Sequence, residues 1–313
     1  MVYFFKKSSF WNTFKEYLVN DFKILILWKK IITILGLFLF TIVTFSYGQG
    51  KKTDLQRDNI KGKVKYIKTS TDEIFKICKY NEKGNVLYYL DESLNFSSFS
   101  IYNNLGNCIE YHVFVGGFLS DKSVCTYDSK GKKIECKVYS ASSGKMYINT
   151  KYKCDSKANV IEAIDYSKNG LVFEKSSFKY DNKGNKISQV FIEYDKNGNI
   201  YDKNSVERVF DDNGNSIKES IIYIEGEDEL SFTNSYKYND KADVIESVTI
   251  YDPESGGSEQ TSTYEYIYDN KNNWIEKKTY VGSSESPTII KRKIVYYGDK
   301  DENDYKEWEK KIK

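Results

Sequence analysis

The phrase Tyr80-Asn81-Glu82-Lys83-Gly84-Asn85 returns down the chain as Tyr102 to Asn107, Tyr127 to Lys132, Cys154 to Asn159, Tyr180 to Asn185, Phe210 to Asn215, Tyr238 to Asp243 and Tyr268 to Asn273. Successive copies start 22 to 30 residues apart, and an additional copy, Tyr194-Asp195-Lys196-Asn197-Gly198-Asn199, sits in a widely spaced stretch. Asp or Asn accepts hydrogen bonds from the backbone ahead of it, and Gly or Asn tolerates the positive φ that closes a hairpin. The phrase is therefore a β-turn.

Before each copy the chain alternates, as in Cys78-Lys79-Tyr80, Phe178-Lys179-Tyr180 and Tyr266-Ile267-Tyr268. Period two with one apolar face means a half-buried strand. The return strand starts at Leu87, Ile109, Ile134, Ile161, Ile187, Ile217, Ile245 or Ile275. Eight hairpins in series predict an all-β antiparallel meander of about sixteen strands. Past roughly ten strands an open sheet curls, splits or closes, so the expectation is a long curved sheet, a spiral shell or a barrel. A three-residue loop would put the aromatic and the Ile on opposite faces, and a four-residue loop on one. The shared face is the expectation, since it keeps both recurring apolar positions out of water, and it sets Cys125 opposite Cys136.

Composition agrees. The chain has 28 Tyr, 16% aromatic residues, 40% hydrophobic residues, 2 Pro and a single His. That load excludes a wholly disordered chain. One His also removes most catalytic and metal chemistries.

The first 48 residues read as a signal peptide or signal anchor. Lys29 and Lys30 precede the 15-residue apolar run Ile31 to Phe45, and Ser46-Tyr47-Gly48-Gln49 supplies small residues for cleavage after Gly48. As a helix the run spans roughly 22 Å, short of the ~30 Å hydrocarbon core, which favours cleavage. An uncleaved N-terminal apolar helix, with membrane contact through residues 24–47, is the alternative. The leader carries six basic and two acidic residues, so positive-inside orientation exports residues 49 onward in either case. What remains has 41 basic and 43 acidic residues, a net charge of −2, and no long basic run before Lys310 to Lys313. Nucleic acid is excluded as a partner on that ground.

The expected organisation is a leader at 1–48, a polar linker at 49–59, the hairpin repeats at 60–298 and a C-terminal capping helix at 299–313. In the last segment Tyr305, Trp308 and Ile312 share one helical face. Five cysteines, Cys78, Cys108, Cys125, Cys136 and Cys154, match neither a zinc site nor a small disulfide scaffold. Cys125 and Cys136, which flank one turn, are the best disulfide pair.

No residue qualifies as catalytic or metal-ligating. His112 lies in a strand with no nucleophile motif beside it. The recurring Asp128, Asp155, Asp181, Asp211 and Asp269 fit turn capping. Asp195-x-Asn197-x-Asn199 approaches a calcium loop, but Ile200 stands where glycine is required and Val206 where a bidentate Glu is. The acidic runs Glu225 to Glu229 and Asp299 to Asp304 read as solvated. The 25 Tyr remaining after the leader are mainly core, with exposed ones as anchors for sugars or proteins.

At these residues the sequence resembles the YD-repeat, or RHS-like, proteins, whose unit is a Tyr-Asp-x-x-Gly phrase between short strands. The resemblance covers roughly residues 60 to 298. The leader end and the closing stretch Asn273-Trp274-Ile275-Glu276, with Lys291 to Tyr297, look like exported members of the Bacteroidetes type. It implies repeat architecture rather than an activity. In large members similar repeats imply a hollow shell around a toxin, but here no toxin-sized segment follows. The expected function is an exported, non-catalytic binding or scaffold surface for a protein or glycan, with no cofactor. The alternative is a membrane-anchored structural envelope protein; an enzyme is a third reading.

Overall fold

The computed structural model describes residues 52–71, 74–226, 228–253 and 257–299. The expected leader helix and C-terminal helix lie outside them. The described residues all belong to one compact unit, 47–313.

The chain forms eighteen antiparallel strands: β1 (Val64–Ser70), β2 (Phe75–Tyr80), β3 (Val86–Asp91), β4 (Phe96–Tyr102), β5 (Cys108–Val115), β6 (Phe118–Tyr127), β7 (Lys133–Ser140), β8 (Met146–Cys154), β9 (Val160–Ser167), β10 (Val172–Tyr180), β11 (Lys186–Tyr194), β12 (Ile200–Phe210), β13 (Ser216–Glu225), β14 (Asp228–Tyr238), β15 (Val244–Tyr251), β16 (Glu259–Tyr268), β17 (Trp274–Val281) and β18 (Thr288–Tyr296). Every strand pairs with its sequence neighbours, and β1 also pairs with β18. The meander is thus a closed barrel, one of the three expected forms. It has two strands more than the repeat count predicted, because β1 and β18 form the closing seam. At a spacing of about 4.8 Å per strand the wall is about 86 Å around.

The loop expectation is corrected. In all nine copies of the phrase the loop has three residues, as where Gly84 N–H donates to Asn81 O (2.8 Å) and Asn81 N–H to Asn85 O (2.8 Å). The register then shifts at the aromatic residue, with Tyr80 opposite Val86 and Lys79 opposite Tyr88, so Leu87 is the extra residue of a β-bulge. The recurring isoleucine occupies that bulge. It is not buried with the aromatic: Tyr80 is 2% exposed, whereas Ile134, Ile217 and Ile245 are 48%, 37% and 38% exposed. The bulge nevertheless restores the register that sets Cys125 opposite Cys136, and the two form a disulfide.

The hairpin turns divide between two ends. Eight copies of the phrase connect even to odd strands at one end; the copy at Asp195–Asn199 connects β11 to β12 at the other. The described part of the stretch expected as a linker holds one short element. Thr53 caps a helical turn, α1 (Asp54–Arg57), through a capping box with Gln56.

Cross-strand rows separate the wall's two faces. Ser100, Tyr111, Ser123, Val138 and Ile148 follow one another across β4 to β8 and are all buried, so this face lines the interior. The opposite face carries Glu110, Lys122, Lys137, Glu162, Lys175, Lys237 and Glu246 in ion pairs on β5 to β7, β9 and β10, and β14 and β15.

Candidate functional site

At the phrase-bearing end the repeated polar residues are used up in structure. The Oδ1 of Asp128 accepts the N–H groups of Lys130 (2.9 Å) and Lys132 (2.8 Å), and Asp155, Asp181, Asp211 and Asp269 accept from the fourth residue on in the same way. Asp195 does so too, with Asn199 N–H at 2.8 Å, so the calcium-like stretch is a turn. The side-chain amides of Asn199 and Asn215 hold the Asp195 and Asp211 carboxyls below the usual carboxylate range. Among the described residues no group of three or more acidic, His or Cys side chains could hold a metal.

In four copies the tyrosine stitches its hairpin to the preceding one. Tyr102, Tyr127, Tyr180 and Tyr238 donate their hydroxyls to the carbonyls of Val86 (2.8 Å), Cys108 (2.8 Å), Val160 (2.9 Å) and Ser216 (2.6 Å), the residue just past the previous turn in each case. Cys154 stands in the tyrosine's place and its thiol reaches Lys133 O at 3.6 Å. Tyr297 completes the circle by donating to Tyr80 O (2.6 Å) across the seam.

The α1 segment lies across this end. Leu55 N–H donates to Gly84 O (3.1 Å), the Asp54 carboxylate accepts Val86 N–H (2.6 Å), Asn59 donates to Lys241 O (2.7 Å) and Lys61 N–H to Asn273 Oδ1 (2.7 Å). Leu55 packs with Val64, Ile67, Tyr80 and Tyr296 in the seam's core cluster. Arg57, which pairs with Asp54, is also within electrostatic reach of Lys186 on β11, far round the ring. Beneath it Arg292 stacks on Trp274, its guanidinium carbon 3.4 Å from the ring centre.

The interior holds a row of carboxylates in direct cross-strand register: Asp165 opposite Glu174, Glu174 opposite Glu193, and Glu193 opposite Asp202. Burial raises Glu174 to about 7, helped by the neighbouring Asp165 and Glu193 and opposed by a hydrogen bond from Ser176. Burial likewise raises Asp165 and lowers the buried Lys133 to about 8. No nucleophile and base are brought together by this row. Cys78, Cys108 and Cys154 are not disulfide-bonded, and burial pushes Cys78 up to about 12 and Cys108 to about 11, which keeps both protonated and inert.

His112 sits on the outer face, where its Nε2 lies 3.1 Å from Glu110, itself bonded to Lys122 at 2.8 Å. Its ring meets Phe99 edge-on at 6.3 Å. That is a wall contact. Beside it a groove of 420 Å³ is lined by Leu87, Phe99, Ile101 and the turn residues Lys83, Asn103 and Asn104.

The far end of the barrel is different, and sequence reasoning missed it. Among the described residues only Phe99, Phe118, Tyr147 and Tyr201 are aromatics more than a third exposed, and three of the four sit at that end. They are accompanied by Leu94, Val115, Leu119, Leu171, Val172 and Ile200. The signal was present as apolar residues next to Gly in Gly116-Gly117-Phe118-Leu119 and Gly170-Leu171-Val172.

No family model matches the chain, and no curated protein matches it in sequence. Solved structures with a similar strand arrangement include a porin-like protein from Bacteroides vulgatus, at 11% identity and a TM-score of 0.44, covering 76% of this chain and 100% of that one. A porin-like protein from Bacteroides uniformis shares 11% identity at a TM-score of 0.40, covering 74% and 96%. A Photorhabdus luminescens Tc holotoxin pore shares 11% at a TM-score of 0.30, over 70% of this chain and 14% of that one. The barrel itself rests on this chain's own strand pairing, from β1 to β18 and back to β1.

Proposed function

We propose that this chain is a non-catalytic protein of the cell envelope, exported by its leader and acting as a structural or binding barrel of the YD-repeat kind. The observation that carries the reading is the fate of the repeated polar residues. The recurring Asp and Asn close the turns, the hydroxyls of Tyr102, Tyr127, Tyr180 and Tyr238 bond neighbouring hairpins, and among the described residues no group of three or more acidic, His or Cys side chains could hold a metal. The wall itself belongs in water. A lysine or arginine on the lipid face of a membrane barrel costs about 2–4 kcal/mol at the bilayer midplane, and the outer face here carries Lys122 and Lys175 near the middle of β6 and β10.

The test is fractionation of cells expressing the full chain, followed by alkaline carbonate washing of the membranes. Recovery with the envelope, with release by carbonate or retention through the leader, supports the reading. Recovery in the cytoplasm, or a requirement for detergent even after removal of residues 1–48, contradicts it.

A further inference from the structure

The groove beside His112 lies on the outer wall between the first two copies of the phrase, and its lining divides by chemistry. Its floor is Leu87, Phe99 and Ile101. Phe99 is 41% exposed and stands in direct cross-strand register between Tyr88 and His112, so a row of three rings crosses β3, β4 and β5 at one strand spacing, about 4.8 Å per step. The walls are turn residues, Asn81, Glu82 and Lys83 from the first copy and Asn103 and Asn104 from the second. Six of the nine copies close the turn with Asp, but these two close it with Asn. The Oδ1 of Asn81 accepts the N–H groups of Lys83 (3.0 Å) and Asn85 (3.0 Å), and that of Asn103 accepts those of Leu105 (3.0 Å) and Asn107 (3.0 Å). With each oxygen fixed by its turn, each side-chain NH2 remains as a pair of donors, and neither has a partner among the described residues. The third such residue, Asn239, differs, because its amide donates to Tyr268 Oη at 2.7 Å.

We infer that this groove binds an uncharged saccharide chain laid across β3 to β5. The inference rests on the binding-barrel reading above and gives it a ligand class and a place. A sugar ring has an apolar C–H face that seats on an exposed aromatic, and a rim of hydroxyls that accept from amides and donate to a carboxylate. Phe99 supplies the first kind of contact, and Asn81, Asn103 and Glu82 supply the second. The charges on the walls cancel: an anionic ligand meets Glu82, and a cationic one meets Lys83, whose Nζ is already held by Asn104 O at 3.0 Å. A polypeptide fits less well. A closed ring has no open edge for a peptide strand to extend, and a docking helix needs an apolar stripe several turns long, whereas this floor is three side chains between polar walls. The volume of 420 Å³ falls within the ~300–1,000 Å³ of small-ligand clefts.

The test is isothermal titration of the full chain with uncharged hexasaccharides of glucose, mannose, xylose, galactose and N-acetylglucosamine, and with polygalacturonate as a charged chain. At least one uncharged hexasaccharide binds, and polygalacturonate does not. Phe99→Ala abolishes that binding, whereas Phe118→Ala, which removes a more exposed ring at the far end, leaves it unchanged. Asn81→Asp with Asn103→Asp keeps the turn acceptor that six copies already use and removes only the donors, so it weakens binding about ten-fold with the unfolding midpoint unchanged. Failure of every uncharged chain to bind at millimolar concentration, tighter binding of polygalacturonate, or binding that either Phe99→Ala or the paired Asn→Asp change leaves untouched overturns the inference. Each of these results leaves the envelope reading standing, since fractionation tests that separately.

Discussion

The two ends of this barrel are made of the same kind of two-strand connection, yet they differ in everything that decides stability. At the phrase-bearing end each turn is closed by an Asp or Asn, the hydroxyls of Tyr102, Tyr127, Tyr180 and Tyr238 are bonded to the neighbouring hairpin, and Asn85, Asn107 and Asn273 are buried. At the far end the loops vary in length and chemistry, and apolar tips face solvent. The difference teaches that repetition marks where hairpins must be tied to one another.

Substitutions sharpen the contrast. The largest effect is expected at the seam: Tyr80→Ala removes a buried ring from the cluster of Leu55, Val64, Ile67 and Tyr296 and should cost about 3–5 kcal/mol in denaturant unfolding. Replacing Cys125 and Cys136 together by Ser opens an 11-residue link and should cost about 2–3 kcal/mol, measured under the same conditions without reductant.

A pH series probes the interior row. Folding raises the Glu174 pKa to about 7 from its ordinary 4.5, so the folded state binds the proton more tightly. Its favourable contribution is complete below 4.5 and is lost as the pH climbs through 7. Glu174→Gln should therefore equal the parent at pH 4 and exceed it by about 3 kcal/mol at pH 8. An unchanged pH profile would show that the row is open to water.

Smaller effects separate the ends further. Ala158 and Ala242 hold φ of 63° in the turn position that glycine fills elsewhere. Ala158→Gly relieves that strain and should stabilise by about 0.5–1 kcal/mol. Phe118→Ser at the far rim should change unfolding by less than about 0.5 kcal/mol, since its ring is already in water. A loss there as large as at Tyr80 would erase the distinction between the two ends.

The turns, strands and meander were legible in the sequence because Tyr-Asp-x-x-Gly-Asn fixes local backbone geometry wherever it occurs. Closure was legible only as one of three forms. β1 and β18 carry no copy of the phrase between them, and their pairing joins residues more than 220 positions apart. The recurring isoleucine, expected to be buried with the aromatic and found exposed, was misread because a bulge after a three-residue loop gives the same register for Cys125 and Cys136 as a four-residue loop. Asp54 and Leu55 looked like linker, since a single capped turn has no periodicity to detect. The carboxylate row of Asp165, Glu174, Glu193 and Asp202 was hidden because its members are neighbours only across strands.

The central claim is that β1 and β18 close the ring, and a cysteine pair across that seam tests it most directly. Lys68 and Lys293 stand opposite each other on the two strands. In a background with Cys78, Cys108 and Cys154 replaced by Ser, Lys68→Cys with Lys293→Cys should oxidise within one chain, read by peptide mapping before and after reduction. An open or spiral sheet would hold these residues at opposite edges; the pair would then stay reduced in the monomer or form only links between chains.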